Sequence, residues 1–140
     1  MILTSNAVSG LIFYVVGFSV FDVFGFTAST NNVPEGDGKQ DNIFRYRIIQ
    51  LMMQTFMTVL VWNYCGWSVA LAATVAWFFT TCDKLFYIIQ KSKYTGDYPW
   101  LESWSVFSLL KPLGIKATDK TFNALALGGI ILSLVMIFFL

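Results

Sequence analysis

Asp22 interrupts the apolar stretch Phe18-Ser19-Val20-Phe21-Asp22-Val23-Phe24, and no other charged residue precedes it. An ionised carboxylate in such surroundings is costly without a partner, so it points to one of two chemistries. The first is a proton or cation site. The second is an acid near a helix end that pairs with Arg45 or Arg47 or reaches water, and this is the expected use. Asp83 and Lys84 fall at the corresponding end of a later apolar stretch. Together, Asp22, Arg45, Arg47, Asp83 and Lys84 are therefore expected as a charged belt at one depth. Such a belt is either an ion-coupled gate or a set of ion pairs and snorkelling side chains that fix helix depth, with the latter favoured. Gln50, Gln54 and Thr58 recur at steps of four and so share one helix face, which suits interhelical hydrogen bonding or, less commonly, a water path.

Other constellations carry less. Histidine is absent, which removes the usual axial ligand of haem and the usual ligand of zinc, copper and non-haem iron. Met52, Met53 and Met57 are read as gap-filling side chains rather than as a copper(I) site. The loop Glu35-Gly36-Asp37-Gly38-Lys39-Gln40-Asp41 lacks the regular ligand spacing of a calcium loop and reads as a solvated turn. No serine, threonine or cysteine has a general base beside it in the sequence, and no glycine-rich turn precedes a helix to hold phosphate. No catalytic residue, metal or cofactor is expected. A net charge of +1 leaves no basic surface for a nucleic acid.

The elements that position these residues follow from the charge-free runs Met1–Phe21, Ile48–Cys82 and Thr121–Leu140. A helix rises about 1.5 Å per residue, and a hydrocarbon core of roughly 30 Å takes about 20 residues to cross. The first and last runs suit one crossing each. The middle run would extend roughly 52 Å as one helix, so it is expected to fold into a hairpin. Gly66 within Trp62-Asn63-Tyr64-Cys65-Gly66-Trp67 supplies the tip. The expected fold is therefore an all-α, single-domain membrane protein with four spans near 8–26, 45–64, 67–90 and 121–140. Residues 27–42 form a polar loop between the first two. Cys65 and Cys82, 17 residues apart and so about 25 Å from each other on what should be one helix, are expected as unpaired thiols.

All nine Lys and Arg residues fall on the side of the two long connections, so the positive-inside tendency puts that side in the cytoplasm and both termini outside. Within the second connection, Asp97-Tyr98-Pro99 followed by Trp100, Leu101, Trp104, Phe107 and Leu110 reads as a short amphipathic helix at the membrane surface. In the last helix, Ala124 with Gly128 and Gly129 with Ser133 form two pairs of small residues four apart, which let another helix approach closely. Trp100, Trp104, Phe107, Ala124, Gly128, Gly129 and Ser133 are thus the candidate docking residues. With the bilayer as solvent and no room for a soluble catalytic domain, the expected function is a non-catalytic accessory subunit of a larger membrane complex, bound to other integral membrane subunits. The alternative is a small homo-oligomeric transporter or channel that exchanges a proton or cation at Asp22.

Overall fold

The computed structural model describes the backbone of residues 2–30, 37–90 and 105–140, and the side chains within 5–28, 45–90 and 105–140. About 90% of those residues are helical, with no strand among them. Helix α1 spans Ile2–Thr30 and α2 spans Asp37–Cys65. Each exceeds the about 20 residues of one crossing. Both reach into the expected loop: Pro34, the first proline of the sequence, lies between the end of α1 and the start of α2. Within them, Ser5–Ala28 and Arg45–Cys65 are apolar enough to cross a bilayer, as is Asp119–Phe139.

Gly66 forms the hairpin tip. Its φ of 97° lies in the left-handed region, where glycine has no Cβ to clash, and α3 begins at the next residue as Trp67–Phe78. The third span was expected to be continuous from 67 to 90. Instead, α3 gives way to α4, Thr81–Ile89, across a bend of 62°. The run Phe78-Phe79-Thr80-Thr81 combines aromatic and β-branched residues of modest helix propensity. Thr80 itself takes a left-handed conformation, φ 66° and ψ 15°. Its amide turns back to Trp77 O at 3.0 Å, which cuts it off from Ala76, its α-helical partner. Three helices are thus long and apolar enough to span a membrane, and there are four crossings if the bent pair counts as one.

After the undescribed 91–104 segment, α5 covers Val106–Leu110. It is capped by Ser105, whose hydroxyl accepts from the Phe107 amide, and continues into a 3-10 turn over Lys111–Leu113. Trp100 and Trp104, with most of the expected surface helix, lie outside the described residues. Helix α6, Asp119–Phe139, starts at a reciprocal cap between Thr118 and Thr121.

The helices form a bundle with two cores. Ala7, Leu11, Tyr14 and Phe18 recur on one face of α1 at helical spacing and pack with Met57, Val61, Val69 and Ala73 toward the hairpin end. At the other end, an aromatic cluster of Phe86, Tyr87, Phe107 and Phe122 joins α4, α5 and α6. The Thr27 and Gln90 side chains meet at 3.3 Å, so α1 and α4 finish together at that loop end. Cys65 closes α2 and Cys82 lies in α4, rather than both on one helix, and both thiols are free.

Candidate functional site: a buried charge cluster at the loop end

Residues Ser19, Asp22 and Gly25 follow one another at steps of three along α1, which puts them on one face. That face meets α2 and α4. Gly25 makes room for Tyr46: a Cβ at this position would lie 2.6 Å from the ring. The ring also packs edge-on against Phe26, with centroids 6.0 Å apart. Held there, the Tyr46 hydroxyl donates to the Asp22 carboxylate and lies 3.0 Å from the Asp22 backbone carbonyl. One turn along α2, Gln50 Nε2 donates to the same carboxylate at 2.6 Å. Arg47 Nη1 donates in turn to Gln50 Oε1, which fixes the amide with its NH2 toward Asp22. Asp22, only 4% exposed, is therefore a buried acid served by two α2 donors and steadied by a guanidinium behind one of them.

The third element bordering this space is α4. Ser19 Oγ sits 2.6 Å from Val15 O and 3.1 Å from Cys82 O, tying α1 to the start of α4. Asp83 follows, 8% exposed, in the first turn of α4. It acts electrostatically on both Asp22 and Arg47. The structure thus gathers Asp22, Arg47, Asp83 and Gln50 into one constellation. Arg45 and Lys84 do not join it. Arg45 is exposed, and Lys84 Nζ lies 5.6 Å from the Phe122 ring centroid on α6, a cation–π contact.

The polar face of α2 is turned toward α1. Gln50 contacts Asp22, while Thr58 Oγ1 and Tyr14 Oη are 3.4 Å apart, with Gln54 beside the same phenol. Among the docking candidates, Phe107 is buried against Phe122, and the two small pairs of α6 face different ways. Ser133 Oγ donates to Ala72 O at 2.7 Å, and a Cβ on Gly129 would meet Phe79 Cβ at 2.6 Å and Thr81 Oγ1 at 2.8 Å. A Cβ on Gly128 would meet nothing within 4 Å, and Ala124 is exposed.

Sequence reasoning missed Tyr46, Gly25 and Ser19. Their signal was the i, i+3 spacing of Ser19 and Gly25 around Asp22, and a tyrosine set between two arginines. Among the described residues, no three His, Cys, Asp or Glu side chains converge as a metal cluster would require.

The fold and site define a class: a helical bundle with three or four bilayer-length helices closed around buried charges at one end. No protein-family model, curated protein or solved structure matches the chain.

Proposed function

We propose that the chain is an integral membrane protein serving as a non-catalytic subunit that packs against and positions other membrane subunits. The observation that carries this reading is the division of α6 into two small-residue faces. Gly129 and Ser133 seat the helix on α3 and the α3–α4 break, whereas Ala124 and Gly128 present a second small-residue surface that the described residues leave open. The basic residues described at the loop end support a cytoplasmic placement of that end, with both termini outside. Purification from the native membrane in mild detergent, followed by native mass determination, tests the reading. A defined heteromeric assembly is expected. A stable monomer that co-purifies with no other polypeptide would overturn it.

One observation favours a second reading, proton- or cation-coupled transport by a homo-oligomer. Asp22 is an acid buried within an apolar helix and held by donors from a neighbouring helix, as intramembrane ion sites often are. A homo-oligomer whose transport is lost in Asp22→Asn is the expected result on this reading. Transport unchanged by that substitution would remove Asp22 from any coupling role.

A further inference from the structure

Among the described residues, the charges gathered at the loop end do not sum to zero. Asp22 and Asp83, both buried, contribute two carboxylates and the half-buried Arg47 one guanidinium; Arg47 interacts electrostatically with both acids, and Asp22 with Asp83. Among the described residues, the other polar side chains around this space are uncharged: Ser19 on α1, Tyr46 and Gln50 on α2, and Cys82 and Tyr87 on α4. The nearest parts of α6 contribute Phe122 and Ala126, and Lys84 is directed to the Phe122 ring. A buried charge without a counter-charge is strongly disfavoured, and such a group takes up a proton instead.

The two carboxylates are not equivalent. Asp22 accepts from Tyr46 and from Gln50, and Arg47 stands behind Gln50, so its anionic form is solvated by the protein. Asp83 is nearly as buried, yet among the described residues the only donor that reaches it is its own backbone amide. We propose that Asp83 is a proton-binding site: the cluster takes up one proton on the Asp83 carboxyl while Asp22 stays ionised opposite Arg47. The proton comes from bulk water: one O–H bond forms on Asp83 as one breaks in a hydronium ion, and the three charges then sum to zero. The first turn of α4 favours negative charge, so the proton is exchangeable rather than locked in place. This site stands apart from the subunit proposal, since a packing subunit and a transporter could each contain it.

The full chain in lipid nanodiscs at neutral pH tests this by infrared spectroscopy, because a protonated carboxyl has a C=O band distinct from carboxylate bands. The wild type is expected to show one such band, shifted by deuterium exchange. Asp83→Glu should move its frequency and Asp22→Glu should not. Asp83→Asn, which mimics the neutral acid, should abolish the band and keep the thermal midpoint, whereas Asp22→Asn should lower the midpoint. Absence of the band from folded wild type would overturn the proposal. So would a frequency that follows Asp22→Glu instead, or a band removed by sodium or potassium chloride but not by choline chloride, which would make the neutralising species a metal cation. The two Glu variants keep every charge, so the assignment holds even if an Asn variant fails to fold.

Discussion

The seam between α1 and α2 is closed differently at its two ends. At the hairpin end, closure is a matter of volume. Gly10 sits where a Cβ would lie 2.6 Å from Cys65 Sγ and 3.3 Å from Val69, and beside it Asn6, Ser9, Phe13 and Tyr64 border a cavity of about 370 Å³. No charged side chain takes part. At the loop end, closure is a matter of polarity, with Tyr46, Gln50 and Arg47 converging on Asp22. A void at the first end forfeits only dispersion contacts, but a missing partner at the second strands a charge in an apolar medium. The loop end should therefore be the more brittle under substitution, although both ends are built from the same two helices.

The largest expected effect follows directly. Arg47→Met leaves the buried Asp22 carboxylate without its described counter-charge, and removing one member of a buried ionic group costs about 3–5 kcal/mol. Denaturant titration in detergent should show that loss. The double variant Asp22→Leu/Arg47→Met should recover most of it, since apolar replacements of similar volume remove the stranded charge as well as its partner. A double variant as unstable as the single one would mean that the cluster is held by shape rather than charge.

Gly10→Val probes the other end and should cost less, about 1–3 kcal/mol, because overpacking is relieved by small shifts of flexible neighbours. Its closest clash is with the Cys65 thiol, so adding Cys65→Ala should return part of the loss. If Gly10→Val proved more damaging than Arg47→Met, the contrast between a charge-closed and a volume-closed end would fail.

Much of this arrangement could be read from the sequence, and the reasons are physical. Charge-free runs announce helices of bilayer length, and Gly66 between aromatic residues announces a tip, because both signals are local. The gathering of Arg45, Arg47 and Lys84 at one end follows from the same count. The break at Phe79–Thr80 was not legible. No proline or glycine marks it, and it is accommodated by tertiary contacts: Gly129 of α6 admits Phe79 and Thr81, and Thr81 Oγ1 donates to Ala126 O at 2.9 Å. Asp22 stood out by its setting and Gln50 by its helix face, but Tyr46 did not. Tyr46 reaches it only because Gly25, on another helix, has no side chain.

The break gives a smaller and opposite prediction. Left-handed backbone costs a residue with a Cβ roughly 1–2 kcal/mol, and glycine is free of that penalty. Thr80 Oγ1 is fully buried and has no hydrogen-bond partner among the described residues, so the hydroxyl offers nothing in compensation. Thr80→Gly should therefore stabilise the protein by about 1 kcal/mol, the gain being reduced by the greater freedom of glycine in the unfolded chain. A loss in the same titration would show that the threonine methyl, packed in the interior, outweighs the backbone strain.

The smallest effect on stability separates the two faces of α6. Gly128→Leu adds a side chain where a Cβ meets nothing within 4 Å, so the isolated chain should stay within about 0.5 kcal/mol of wild type. The same substitution one residue on, at Gly129, drives into Phe79 and Thr81 and should cost about 1–3 kcal/mol. Adjacent residues on one helix thus distinguish folding from assembly. If the Ala124–Gly128 face holds a neighbouring subunit, Gly128→Leu should deplete co-purifying polypeptides in native mass spectra while leaving the monomer's thermal midpoint in place. A complex that survived Gly128→Leu intact would move the interface elsewhere on the molecule and leave this face to lipid.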